Sequence, residues 1–410
     1  SDPRPAADRD RHALAASVAS TTVEGDLALV TRSDVATWDV VPERRFDALV
    51  AAAPALGSVV TRRAAQTWTA TAPFVSSDPD EAPVGTVEAS ALSLREHHDV
   101  VVAERSVART GDLVLPQAFR DTVRTRPRTP VLTDWSPWSV RVPDELLDGR
   151  EPVDLPGTWF HADNVLRGHF GHALTEQLSL LWAWPEVLAR HPDAGLLVTT
   201  AGRPLAGWEL ELLEAAGVER RRVHAADAPV RVERLLAATP GYVIMRHVHP
   251  SLRDHYRATG DALERRAGVT GTPRRLLVTR SGSKRRCHQT AEVEALLVRH
   301  GFTPVALEDH PLPDQVALVR HAEAVAGWGG SGMFHLLLGG APRPVIAISH
   351  TGYHLWNERA IAALWDHPLT VVRGTPDPPA GAPSGTPMHA DFSLDLDREG
   401  RLLVDALERL

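Results

Sequence analysis

Apolar and polar positions along this chain follow three successive patterns. Residues 1 to about 20 are polar, with no sustained period, and predict a frayed entry. From Thr22 to about Val140 the apolar residues form short β-like runs, such as Val100-Val101-Val102-Ala103 and Leu113-Val114-Leu115. Pro and Asp punctuate them, as in Ser77-Asp78-Pro79-Asp80-Glu81-Ala82-Pro83, and a helical period appears only around Glu43 to Ala53. This stretch reads as an irregular accessory region feeding a first domain. From Asn164 the pattern becomes regular. Leu174, Leu178, Leu181 and Trp182 fall on one helical face, and Pro185 is expected to end or kink that helix. Gly195 to Thr200 predicts a strand, Gly207 to Ala216 a helix stopped by Gly217, and Arg231 to Ala237 a strand. Pro250 to Ala267 predicts a charged amphipathic helix connecting two domains.

The last third alternates cleanly. Strands are expected at 275–279, 303–307, 324–327, 345–349 and 369–372. Helices are expected at 290–300, 312–322, 333–338, 355–365 and 402–410. Strands alternating with helices at this spacing imply an α/β fold with a parallel sheet covered on both faces. Gly374 to Pro387 is a Pro/Gly-rich loop.

Composition narrows the class. A chain of 410 residues is too long for one ordinary core, and its 43% apolar content is too high for disorder. No apolar run reaches the length of a membrane span, and Glu24 and Asp26 break the one stretch that could pass for a signal peptide. A formal charge of -8 argues against a general nucleic-acid binder. The single cysteine, Cys287, excludes an internal disulfide framework and fits a reducing, cytoplasmic setting; it reads as a small buried residue.

Two turns carry the candidate chemistry. The strand at 275–279 runs into a basic loop, Arg280-Ser281-Gly282-Ser283-Lys284-Arg285-Arg286, in which Lys284 is the only lysine of the chain. The strand at 324–327 runs into the glycine turn Gly327-Trp328-Gly329-Gly330-Ser331-Gly332. Cationic side chains and backbone N–H groups at the carboxyl ends of two strands are what a nucleotide-diphosphate site requires. Arginine would hold phosphate by a bidentate fork and lysine as a point charge. Upstream, His172 and Glu176 stand four apart on one helical face, so the carboxylate can orient the imidazole and raise its basicity. His169, His161 and Asp163 lie close by in sequence. A zinc site of His161, His169 and His172 is set aside because no cysteine lies nearby and a fourth ligand has no source. The spaced pairs Asp78/Asp80 and Asp395/Asp397 read as loop carboxylates rather than metal ligands.

The order of these motifs resembles glycosyltransferase family 61. The block Arg167-Gly-His-Phe-Gly-His-Ala-Leu-Thr-Glu-Gln-Leu-Ser-Leu-Leu-Trp182 is similar to the family's amino-terminal motif, with His and Glu four apart before a leucine-rich helix. The second block carries Thr279-Arg280, Arg285-Arg286, Gly301-Phe302, Glu308, Gln315 and the turn Gly327 to Gly332, in the family's order. One departure stands out: the family turn usually reads His-Gly-Ala-Gly, followed by Asn, whereas here Gly329 takes the His position and His335 the Asn position.

The resemblance implies a GT-B-like architecture, two doubly wound Rossmann-like domains facing across a cleft. Residues 1–150 would then form an N-terminal extension and the start of the acceptor-side domain. Residues 151–270 would complete that domain, and 271–410 would form the nucleotide-sugar-binding domain with its C-terminal helix. The implied activity is inverting sugar transfer from a nucleotide-diphosphate donor to an acceptor hydroxyl, with no cofactor and no obligatory metal. In that reading His172, Glu176 and Asp163 are catalytic candidates. Arg280, Lys284, Arg285, Arg286, Glu308, Gly329, Gly330, Ser331, Gly332 and His335 are donor-binding candidates, Glu308 toward ribose hydroxyls. The partners expected are the nucleotide sugar and a hydroxyl-bearing acceptor such as a carbohydrate, with a homo-oligomer open. His350, Tyr353 and His354 follow the strand ending at Ser349 on the same edge. A non-catalytic nucleotide-sugar-binding relative and a nucleotide-sugar epimerase remain as alternatives.

Overall fold

The computed structural model describes residues 37–40, 57–103, 107–111, 113–115, 133–136, 139–141, 151–164, 166–200, 202–280, 284–377 and 387–410. The helix expected at Glu43 to Ala53 lies outside these residues, as do Ser281, Gly282 and Ser283 of the basic loop. The chain gathers into two compact units. One comprises Ser1–Ala64, Ala91–Glu209 and Gly217–Val243, the other Ala65–Ser90, Leu210–Ala216 and Ile244–Leu410.

In the first unit, strand Val153–His161 lies between Gly195–Thr199 and Val230–Ala238, parallel to both, and Val223–Ala226 extends the parallel set beyond Gly195–Thr199. The strands therefore lie in the chain order third, second, first, fourth, and the order reverses between 153–161 and 230–238. Val230–Ala238 then pairs antiparallel with Leu92–Ala103. That twelve-residue strand occupies the region expected to be irregular. Its polar residues hid it: Ser93, Arg95 and His97 interrupt the apolar run, yet all three are buried in the sheet. Val100, Val102, Leu197, Val232 and Leu235 are fully buried and pack into one core. Each such side chain contributes about 1.5–3 kcal/mol by leaving water.

The second unit is a doubly wound sheet. Phe302–Ala306, Arg275–Thr279, Ala324–Trp328, Val345–His350 and Leu369–Pro376 are neighbours in that order and all parallel. Numbered along the chain, the order is 2-1-3-4-5, which reverses between 275–279 and 324–328. Helices Thr290–Arg299, Leu312–His321 and Trp356–Leu364 make crossovers. Strands 324–328 and 345–350 are buried at every position, which is why they read as unbroken apolar runs rather than alternating ones. Segment 65–90, far upstream in sequence, adds strand Phe74–Ser76 parallel to 369–376. Near the other end of the chain, Phe392–Ser393 adds an antiparallel strand to the same neighbour.

Candidate active site

In open α/β sheets, ligands bind outside the carboxyl ends of the strands, where the strand order reverses. Both units present their candidate residues at such a place.

In the first unit, strand 153–161 ends at His161 and the chain turns through Asp163 into the helical stretch that starts at Phe170. That stretch is not the uniform helix the periodicity predicts. Phe170–His172 is α-helical, Ala173–Gln177 is a π turn closed by the Leu178 N–H donating to the Ala173 carbonyl, and the last turn before Trp184 is 3-10. The α winding stops at Leu180, and the 3-10 turn 181–183 separates it from the helix that carries Pro185. That proline sits in the first turn of helix Trp184–Arg190, where the missing N–H would have no intrahelical partner. π turns inside α-helices recur at functional sites.

Glu176 lies in this π turn and accepts a hydrogen bond from His172 Nδ1 at 2.9 Å. The two side chains are 14% and 11% exposed, so the pair sits at the edge of the core with a face toward solvent. Donation from Nδ1 puts the imidazole lone pair on Nε2, the tautomer a general base needs. The exposed His169 ring stands edge-on to His172, centroids 4.7 Å apart. The structure uses Asp163 differently. Its carboxylate accepts the Thr199 backbone N–H at 2.8 Å and the Thr199 hydroxyl at 2.5 Å, with His161 Nε2 at 3.3 Å. Fully enclosed at 1% side-chain exposure, it ties the ends of strands 153–161 and 195–199 together. Arg167 enters the same turn as a buried ion pair with Glu209 at 3.1 Å, and Glu209 also accepts the Gly168 and Ala206 N–H groups.

In the second unit, the basic loop and the glycine turn follow the two strands that flank the reversal. Arg280 Nη1 and Arg285 Nη2 converge on the Gly329 carbonyl at 3.4 and 3.3 Å, and Arg280 Nη2 donates to the Arg285 carbonyl. Arg285 holds a left-handed backbone (φ +55) and lays its guanidinium over the Tyr353 ring at 4.3 Å. Burial, then the neighbouring Arg285 charge, pull the Arg280 guanidinium down to about 10. It stays charged at neutral pH in a place that disfavours the charge. Gly330 (φ +148) holds a backbone conformation that any side chain would strain, and a Cβ there would also stand 2.8 Å from the tip of Arg285. Arg286 is turned elsewhere, its N–H on Asp391 Oδ1 at 2.8 Å and its Nη2 3.6 Å from Asp391 Oδ2. Lys284 is exposed on the same loop, and Glu308 is exposed in a short turn after strand 302–306.

His335 lies 2% exposed beneath the turn. Its Nδ1 donates to the Gly332 carbonyl at 2.8 Å, which steadies the turn from below, and its Nε2 lies 2.7 Å from Gln315 Oε1 of helix 312–321. Burial pushes its imidazole down to about 4. Ser331 and Gly332 open the 3-10 helix Ser331–Leu338. The space a residue at 329 would need is filled, since a Cβ there would stand 2.7 Å from Leu355 Cδ2 and 3.1 Å from Ser349 Cβ. The metal-like carboxylate spacings are turn caps: Asp78 accepts the Asp80 N–H and Asp395 the Asp397 N–H. Among the described residues no group of three His, Cys, Asp or Glu side chains forms a metal cluster.

Four groups of this edge escaped the sequence reading. Arg373 lies within strand 369–376, Glu358 sits in the first turn of helix 356–364, Glu81 comes from segment 65–90, and Asp391 precedes strand 392–393. Each looks locally like an ordinary helix-start or loop charge, and only the sheet brings them beside the arginines.

Residues 170–346 match the family model described as Glycosyltransferase 61. No curated protein matches the chain. Among solved structures, the chain is similar to Escherichia coli ADP-heptose lps heptosyltransferase II at 10% identity and a TM-score of 0.31, over 62% of this chain and 98% of that one. It is also similar to the Thermosulfurimonas dismutans KpsC beta Kdo 2,7 transferase at 13% identity and a TM-score of 0.18, over 52% and 90%. At such scores both likenesses are loose.

Proposed function

We propose that this protein, whose residues 170–346 match the Glycosyltransferase 61 family model, is a glycosyltransferase that moves a sugar with inversion from a nucleotide-diphosphate donor to an acceptor hydroxyl. In this reading the acceptor oxygen attacks the anomeric carbon, His172 Nε2 takes its proton, Glu176 stabilises the imidazolium, and the nucleoside diphosphate leaves. Charge building on the leaving phosphates is met by Arg280, Arg285 and the N–H groups of the Gly330–Gly332 turn, the role a metal ion would otherwise take. The GT-B class of architecture expected from the resemblance, and a cytoplasmic setting, are parts of the same reading.

One observation carries it. Two guanidinium groups, one of them substantially buried, are held side by side at the strand-order reversal of the second unit. Like charges brought together out of water are unfavourable on their own, and a diphosphate relieves both the repulsion and the lost hydration. The test is calorimetry with UDP, ADP, GDP and CDP. Arg280→Ala should weaken whichever diphosphate binds by about 1.5–3 kcal/mol, the range for hydrogen bonds to charged groups. Unchanged affinity removes Arg280 from the site. Product analysis with the matching nucleotide sugar, with and without an acceptor, separates transfer from epimerisation and from binding alone.

A further inference from the structure

Beside the arginines lies an acid that the transfer chemistry does not use. Glu358 is 5% exposed, and neither carboxylate oxygen makes a well-formed hydrogen bond. The groups that act on it are its own backbone N–H, the Gly330 N–H of the glycine turn, Arg285 of the basic loop, Arg373 of strand 369–376 and the Tyr353 hydroxyl. Behind Arg373 stands Glu81, 3.2 Å from its Nε and 3.7 Å from Arg359 Nε. On strand 345–350, His350 is fully buried with no partner on either ring nitrogen, packed against Tyr353 and Phe392. A buried carboxylate is made tolerable here by the Arg285 and Arg373 charges that act on it. An anion arriving on the same guanidinium groups takes up that attraction and adds a like charge nearby, and two anions cannot share one small site at low cost.

We propose that Glu358 is a positioning residue that couples anion binding to proton uptake: a nucleoside diphosphate seated on Arg280, Arg285 and the Gly330–Gly332 turn is accompanied by one proton, held on the Glu358 carboxyl. The proton comes from solvent, and no bond to the ligand is made or broken. The inference rests on the donor-site reading above. The neighbours are poorly suited to take that proton. His350 is pushed down to about 4 by burial and by Arg373, Arg285 and Arg280, so it stays neutral above pH 7, and Tyr353 is pushed above its ordinary range by burial and keeps its proton. Burial pushes Glu358 up to about 7 even with the arginines present. The bound anion raises it further, so the complex gains a proton that the free protein lacks at pH 8. Binding is then strongest below pH 7, where Glu358 is already protonated, and weakens as pH rises.

The experiment titrates the full chain with UDP, ADP, GDP and CDP at pH 8 in two buffers of different ionisation enthalpy. The expected result is a buffer-dependent heat that corresponds to roughly half a proton or more taken up per ligand, and an affinity that falls by up to about tenfold per pH unit above pH 7. In Glu358→Gln, whose neutral amide mimics the protonated acid, uptake should vanish and affinity at pH 8 should rise several-fold, with a flat pH profile. Binding to the wild-type chain with no buffer dependence overturns the inference and leaves the donor site standing; this readout needs no variant to fold. Uptake that persists in the Gln variant belongs to other groups of this edge, such as the exposed His288 and His354, and also overturns it. Failure of all four diphosphates to bind removes the donor-site reading, and this inference with it.

Discussion

His172 and Glu176 are separated by one turn, and the hydrogen bond between them is the kind that acts as a unit. General-base assistance contributes about 10²–10⁴-fold in rate. His172→Ala should therefore lower turnover by that order, with diphosphate affinity unchanged by calorimetry, because the arginines belong to the other unit. Glu176→Gln should lose less, and the double variant should resemble His172→Ala alone. Near-full turnover of His172→Ala at saturating acceptor would place the base elsewhere. Position 329 makes a different point. Restoring the family's histidine by Gly329→His would drive a side chain into Leu355 and Ser349. Overpacking of this kind costs about 1–3 kcal/mol, so the variant should melt earlier and gain no activity; a stable, faster enzyme would show that Leu355 yields.

At the scale of elements, segment 65–90 is the least expected part of the second unit. Its strand 74–76 extends the sheet, and just beyond it Glu81 reaches Arg373, with both side chains about 5% exposed (6% and 5%). Ser77 Oγ accepts the Arg373 N–H at 2.7 Å, and Ser76 Oγ donates to Glu81 at 2.9 Å. Removing one partner of a buried ion pair leaves an uncompensated charge and costs about 3–5 kcal/mol. Glu81→Ala should shift the urea midpoint downward accordingly, and a shift under about 1 kcal/mol would mean that water replaces the carboxylate. The π turn at 173–177 is the other element whose form matters more than its existence. Periodicity finds a helix there but cannot see the extra residue, because Leu174, Leu178 and Leu181 bury themselves on either winding.

Across the whole molecule, the two units offer separate readouts. A bound nucleoside diphosphate adds its binding free energy only to openings that release it. Hydrogen exchange should slow at the ends of strands 275–279 and 324–328, in 284–288 and through 329–338. Amides of 153–161 and 195–199 should exchange as before. Protection confined to the first unit would move the diphosphate off the arginines.

The alternation after residue 270 was legible because the central strands of the parallel sheet are buried on both faces and the crossover helices on one, so burial writes itself into local periodicity. The basic loop, the glycine turn and the His172–Glu176 spacing were legible for a related reason: their chemistry lies within a few residues of one another. Strand 92–103 was missed because its polar side chains are buried beside a strand far along the chain, Arg95 opposite Ala237 and His97 opposite Leu235, a fact no window contains. The same limit hid Glu81, Glu358, Arg373 and Asp391, and it set Asp163 in a structural tie rather than an open site. Sequence by itself determined which segments become strands and helices, and which turns carry charge. Tertiary structure decided which of those charges meet, because a sheet's strand order joins residues by hydrogen bonding across the chain rather than along it.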